Sequence, residues 1–221
     1  TIEARVDLPA RRITQSGNTT AIRNYPMSVE WENILIGNGH NTSARRIIRE
    51  RHNLPSDVLI GLGVDRLDYS KGLKERFQAV RRMLELEPNL RGRFCFIQIA
   101  APSRTDLETY QRYASEVREE IDKINALYAG DFPTILLLER HHSKEELIPY
   151  FRAADCCFIS SLHDGMNLVA KEFVVSREDE LGTLVLSRFT GAAETFTDAL
   201  VVNPYHIDAC AQALARAVLM P

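Results

Sequence analysis

Two short runs of this chain combine residue types that can hold a phosphorylated ligand. In Asp65-Arg66-Leu67-Asp68-Tyr69-Ser70-Lys71-Gly72, two cations share one loop and a glycine stands where a helix should begin. Cationic side chains beside a helix N-terminus suit a diphosphate, because their charge-assisted hydrogen bonds add to those of exposed backbone N–H groups. Taken alone, the run also reads as a solvated charged loop, since surface charge pairs are common and weak. The second run extends from His163 to Glu172. Gly165 would let a ligand approach the backbone closely, and Met166 to Val169 would present free N–H groups at a helix start. Glu172 stands about one and a half turns inside that helix, near enough to accept from two vicinal hydroxyls of a ribose. Asp164, by itself, reads equally as a helix N-cap. The adjacent His141 and His142 read as a loop pair, because neighbouring histidines rarely face one metal.

Other chemistries find no support in the pattern. Gly61-Leu62-Gly63 fails as a dinucleotide fingerprint: Arg66 occupies the third glycine's place, and both glycines fall within a strand. There is no Walker A loop and no nucleophile elbow. Cys95, Cys156, Cys157 and Cys210 show neither zinc nor disulfide spacing and read as buried reduced thiols of a cytoplasmic protein. A formal net charge of −3 argues against nucleic acid as a partner. No apolar run approaches the ~18 residues of a membrane span, and no signal-peptide pattern opens the chain. The N-glycosylation matches at Asn18 and Asn41 therefore read as chance.

The elements that must position these loops are written in the hydrophobic pattern. The 221 residues suffice for one large domain, or one domain with an appendage. Val58 to Val64, Phe94 to Ala100, Ile135 to Leu138, Cys156 to Ser160, Thr183 to Ser187 and Leu200 to Val202 read as six short apolar strands. Leu73, Phe77, Val80 and Leu84 recur at helical spacing up to Glu87-Pro88, and Leu107 to Ile124 forms a longer amphipathic pattern. Further helices are expected from Ser143, with Glu145 and Glu146 in the first turn, from Asn167, and over Ile207 to Val218. This alternation predicts an α/β fold with a doubly wound, Rossmann-like parallel sheet. Ligands bind such sheets beyond the carboxyl ends of the strands, where both runs fall, together with Ala101-Pro102-Ser103-Arg104, Arg140-His141-His142 and Phe189-Thr190-Gly191-Ala192.

Residues 1–40 read differently, with short alternation from Ala21 to Trp31 and turn signals at Ser16-Gly17-Asn18 and Gly37-Asn38-Gly39. They are expected to be the remnant of another domain. Residues 41–56 read as a connecting helix, capped within Asn41 to Ser43 and ended by Pro55, and 57–221 as the Rossmann-like domain.

Together, Gly63 to Gly72 and Asp164 to Glu172 resemble the trehalose-6-phosphate synthases, with support from Gln98 to Arg104, Ser187 to Ala192 and Val202-Asn203-Pro204-Tyr205. The similarity runs from about Ala21 to the C-terminus. The resemblance implies a retaining, metal-independent glycosyltransferase of GT-B type, of whose two Rossmann-like domains this chain matches the C-terminal, nucleotide-sugar-binding one. It implies that Arg66 and Lys71 hold the diphosphate of UDP-glucose, that Leu168 and Val169 meet the nucleotide through backbone N–H groups, and that Glu172 holds the ribose. Asp164, Met166 and Asn167 would hold the glucose, with Gly165, Ala170 and Lys171 completing the donor-binding run. His142 falls where the family presents backbone to the uracil, and Arg104 on the arginine that meets the phosphate of the acceptor, glucose 6-phosphate. Lys144 sits near a position where some members carry arginine. Almost none of the family's N-terminal domain is present, so this chain alone should bind donor weakly and turn over poorly.

The implied reaction is glucosyl transfer from UDP-glucose to glucose 6-phosphate, giving trehalose 6-phosphate and UDP with retention, in the cytoplasm. Arg66, Lys71 and Asp164 would be catalytic, with no metal and no cofactor. No side chain reads as a covalent nucleophile, so retention would come from same-face attack assisted by the leaving phosphate. Three alternatives stay open: transfer to glycerol 3-phosphate or a cyclitol phosphate, a non-catalytic sugar-phosphate sensor, and a nicotinamide-dependent oxidoreductase, which the missing third glycine disfavours. The donor nucleotide (UDP, ADP or GDP) and a homo-oligomeric state are open as well.

Overall fold

The computed structural model describes residues 3–25, 27–29 and 41–220. Its first strands, β1 (Arg5–Asp7), β2 (Arg12–Gln15) and β3 (Asn18–Ala21), form a small antiparallel sheet with no buried residue. Ser16 and Gly17 make the β2–β3 turn with φ of 48° and 79°, both left-handed, as a two-residue hairpin loop requires. The alternation read from Ala21 onward does not continue as strand: residues 22–25 and 27–29 are irregular. Trp31 and the Gly37-Asn38-Gly39 turn lie outside the described residues.

Helix α1 (Asn41–Arg51) is more than a connector. Ile48 is fully buried in a cluster with Tyr150 and Phe151, Arg45 pairs with Asp155 at 2.9 Å, and Arg49 donates to the Val58 carbonyl at 2.7 Å. The segment therefore forms part of a covering layer. The alternating elements follow in chain order: β4 (Leu59–Arg66), α2 (Leu73–Leu86), β5 (Phe94–Ala101), α3 (Glu108–Leu127), β6 (Ile135–Leu138) and α4 (Lys144–Ala153). After them come β7 (Cys156–Ile159), α5 (Leu168–Val175), β8 (Thr183–Ser187), β9 (Leu200–Val202) and α6 (Ile207–Leu219). Ser143 caps α4 in a reciprocal box with Glu146, which is why the acidic first turn was legible.

The six strands lie in the order β6-β5-β4-β7-β8-β9, all parallel, which is the doubly wound arrangement. Helices α2, α3 and α6 cover one face through Phe77, Val80, Val117, Ile121 and Leu214. Helices α1, α4 and α5 cover the other through Ile48, Tyr150, Phe151 and Phe173. In β5 the side chains alternate between them: Phe94 and Phe96 to the first face, Cys95, Ile97 and Ile99 to the second.

β4 was expected to end at Val64, but it pairs with β5 through Asp65 and Arg66. A charged residue can stay in this central strand because the Asp65 carboxylate is buried 2.7 Å from the guanidinium of Arg76 on α2. The glycines of β4 also have a packing reason. A Cβ on Gly61 would stand 2.6 Å from the Phe96 ring and 2.7 Å from Phe94, so the missing side chain makes room for two aromatic rings. Gly61→Ala should therefore lower the urea unfolding free energy by about 1–3 kcal/mol. Gly130→Ala, where the nearest atom to a new Cβ is 3.9 Å away, should show no packing penalty. Equal losses in the two variants would contradict the packing account.

Candidate functional site

The strand order reverses between β4 and β7, so the crevice of this sheet opens where their loops leave it. After β4, a 3₁₀ turn over Tyr69–Lys71 is capped by Asp68, whose carboxylate accepts from the Ser70 N–H at 2.9 Å and hydroxyl at 2.8 Å. Gly72, at φ 62°, closes the turn and opens α2, and a Cβ there would run into the Ser160 carbonyl. After β7, the Ser160 hydroxyl donates to the Gly72 carbonyl at 2.8 Å, and the Leu162 N–H to the Ser70 carbonyl at 2.7 Å. The loop after β8 joins them: the Gly191 N–H donates to the Asp164 carbonyl at 3.1 Å and the Ala192 N–H to that of Met166 at 2.9 Å. Three loops from three strands are thereby hydrogen-bonded into one wall.

That wall borders a cleft of about 980 Å³ whose lining includes Arg66, Lys71, Asp164, Asn167, Leu168 and Val169. The two runs singled out in the sequence, almost 100 residues apart, thus meet in one cavity. Lys71 Nζ lies 2.6 Å from Asp164 Oδ2, and that oxygen also accepts from Asn167 Nδ2 at 3.1 Å and the Ser161 hydroxyl at 3.4 Å. Burial pushes the Asp164 carboxyl up, but the Lys71 and Asn167 donors outweigh it and hold it below the usual aspartate range. Arg66 is exposed and has no ion-pair partner among the described residues.

Asp164 does not cap the helix that follows. Asn167 does, at φ 69°, its Oδ1 accepting from the Ala170 N–H at 2.9 Å. The Met166 N–H points to the Asp164 carboxylate. Of the free amides expected over Met166 to Val169, that of Met166 is thus taken, while those of Leu168 and Val169, the first two of α5, have no intrahelical acceptor. Gly165, Met166 and Lys171 line the cleft too, and Lys171 Nζ donates to the Met27 carbonyl at 2.7 Å.

Other candidates fall elsewhere. Ala170 is buried with its amide taken. Glu172 is half-buried and is not part of the cleft lining; burial raises its carboxyl above the usual glutamate range, against the opposing pull of Lys144. Arg104 is turned away from the cleft: at φ 46°, its Nη1 donates to the Tyr110 hydroxyl at 2.9 Å and its guanidinium lies 5.4 Å over that ring. His142 lines the cleft with its ring edge-on to Tyr150, and His141 lines it as well. Among the described residues no group of three or more His, Cys, Asp or Glu is gathered as for a metal. The sequence reading missed Asn24 and Tyr25, which line the cleft from the N-terminal segment, and Ser160, taken as the last residue of a strand.

Comparison with known proteins gives the family to which this fold belongs. The profile of glycosyltransferase family 20 matches residues 3–221. The chain belongs to glycosyltransferase family 20. Within the family, it is 39% identical over 218 residues to a trehalose-6-phosphate synthase of Sodalis glossinidius, covering 97% of this chain and 46% of that protein. A UDP-forming trehalose-phosphate synthase of Burkholderia xenovorans, solved with glucose 6-phosphate, superposes with a TM-score of 0.87 at 39% identity, over 95% of this chain and 47% of the other. An E. coli structure bound with UDP-2-fluoro glucose superposes with a TM-score of 0.87 at 35% identity, over 100% and 49%. The chain thus spans about half the length of the family 20 relatives it matches. Among its described residues, no helix is long and apolar enough to cross a membrane.

The local geometry makes a stability prediction. Asn167→Ala removes the cap and places a Cβ-bearing residue without a compensating bond in the left-handed region, so it should cost about 1–2 kcal/mol. Asn167→Gly keeps the backbone conformation and should cost less. Thermal denaturation of the two variants checks the order, and a glycine variant less stable than the alanine variant would be the wrong result.

Proposed function

We propose that this chain is the donor-binding half of an enzyme that transfers glucose from UDP-glucose to glucose 6-phosphate, giving trehalose 6-phosphate and UDP with retention. One observation carries the reading: Arg66 and Lys71 face the same cleft as the Leu168 and Val169 amides at the tip of α5. A diphosphate placed there meets two cations and two donors at the positive end of a helix. The relatives support the substrates, since those proteins are named as UDP-forming synthases or were solved with glucose 6-phosphate and a UDP-glucose analogue.

In this reading Arg66 and Lys71 stabilise the negative charge that grows on the leaving diphosphate as the glucosyl centre becomes oxocarbenium-like. Asp164 aims Lys71 and, with Asn167 and Met166, faces the glucose. Ser, Cys or carboxylate attack on the anomeric carbon plays no part; the acceptor hydroxyl enters on the face the diphosphate leaves, and the leaving phosphate takes its proton. Arg104 takes the acceptor phosphate, for which its guanidinium must leave Tyr110. The reaction uses no metal and no cofactor, and the four buried free thiols suit a reducing cytoplasm.

Preorganised donors of this kind are worth ~3–4 kcal/mol each, so Lys71→Ala in the full-length protein should cut kcat/KM for UDP-glucose by at least ~100-fold. An unchanged value refutes the assignment. Calorimetry should find UDP bound more tightly than ADP or GDP; equal affinities would remove the uridine claim. The ribose role of Glu172 carries a pH signature. Its carboxylate is the accepting form and its pKa is raised by burial, so UDP affinity should fall with decreasing pH at a midpoint above the ordinary glutamate value of about 4.3. Glu172→Gln should abolish that dependence, and a dependence that survives the substitution belongs to another group.

A further inference from the structure

Arg76 is outside the cleft lining, yet two of the polar groups it touches belong to the structure around it: Asp65 lines the cleft and Ser160 bonds to the Lys71 turn. The side chain is fully buried beneath the carboxyl ends of the central strands, on the first turn of α2. Its Nε donates to the Ser160 hydroxyl at 2.9 Å, its Nη1 to Gln98 Oε1 at 2.7 Å, and its Nη2 lies 2.7 Å from Asp65 Oδ2. One guanidinium therefore joins Asp65 near the end of β4 and Gln98 within β5 to the residue that follows β7. The fork geometry matters, because a planar guanidinium aims Nε at Ser160 and Nη1 at Gln98 in fixed directions while Nη2 meets the Asp65 carboxylate as an ion pair.

Ser160 passes this constraint upward. By accepting from Arg76 Nε, its hydroxyl is left to share its one proton between the Gly72 carbonyl at 2.8 Å and the Lys71 carbonyl at 3.1 Å. Those carbonyls belong to the turn whose Lys71 Nζ reaches Asp164 at 2.6 Å. Gly63 is bare on the same side because a Cβ there would collide with Gln98 and the Arg76 guanidinium. Stability alone is a poor reason for this arrangement, since replacing a buried ion pair by apolar residues is often neutral or stabilising. We propose that Arg76 is a positioning residue, which through the Ser160 hydroxyl fixes the Lys71 turn against Asp164 in the donor site. The inference rests on the donor-site reading for its effect on turnover, but not for its geometry.

The test uses the full-length protein with Ser160→Ala and Arg76→Lys, alone and combined. Ser160→Ala leaves the guanidinium on Gln98 and Asp65, so it removes the link without stranding the charge. A shift of about 1 Å in a catalytic group can cost ~100-fold, so each single variant should lose at least ~10-fold in kcat with donor KM within about threefold. Because both substitutions act through one hydroxyl, the double variant should lose no more than the worse single variant. Multiplied losses, or a folded Ser160→Ala protein with unchanged kcat, overturn the inference; should Arg76→Lys fail to fold, Ser160→Ala decides alone. A second readout needs no turnover. The ¹³C titration of the Asp164 carboxyl should move up toward the ordinary aspartate range in Ser160→Ala, because Lys71 is no longer held on it. An unmoved titration overturns the inference even in a protein that transfers nothing, whereas a wild-type protein without glucosyl transfer from UDP-glucose refutes the functional reading alone.

Discussion

Between β4 and β7 the chain builds outward in both directions, so no connection runs directly from one of these strands to the other. In a parallel sheet every other neighbouring pair of strand ends is bridged by a helix connection on one face or the other. Here the Lys71 turn and the Ser160 to Asn167 loop leave those strand ends and are hydrogen-bonded to each other as one wall of the cleft. Everything that faces the cleft depends on holding these two loops at a fixed separation. The Ser160 hydroxyl and the Leu162 amide do so with bonds of 2.8 and 2.7 Å to the carbonyls of Gly72 and Ser70. The loop after β8 adds a third tie through Gly191, where a side chain would strike the Gly165 carbonyl.

The electrostatics follow from that frame. Lys71 is paired with an ionised Asp164 before any ligand arrives, so its ammonium is aimed and does not have to be gathered from solvent. Arg66 is exposed, lines the cleft and has no ion pair among the described residues. At the helix tip the Asp164 carboxylate takes the Met166 amide and Asn167 takes that of Ala170, while Leu168 and Val169 between them have no intrahelical acceptor. A small number of directed donors, on a chain whose net charge is negative, distinguishes a diphosphate from a nucleic acid backbone.

Much of this was legible in the residues. Apolar runs alternating with helical spacing identified all six strands of the parallel sheet, and the cations and glycines clustered after those strands because that edge is where ligands bind. What escaped the pattern did so for physical reasons. Asp65 read as loop because a charge rarely sits in a central strand, and its partner Arg76 is close only in space. A signal was present: Arg76 falls at the i+3 position of the apolar stripe Leu73, Phe77, Val80, and Gly61 and Gly63 stand bare in a strand interior. Arg104 could be placed in its loop but not aimed, since its direction depends on Tyr110, six residues on in a different element. The α1 segment looked like a connector because its apolar side is little more than Ile48 among arginines.

A single diphosphate bridging two loops is the claim from which the functional reading descends. A crystal structure of the protein with UDP tests it directly. The account predicts phosphate oxygens within hydrogen-bonding distance of Arg66, of Lys71 Nζ and of the Leu168 and Val169 amides at once. UDP seated elsewhere, or a diphosphate touching the cations while the α5 tip stays bare, would contradict it.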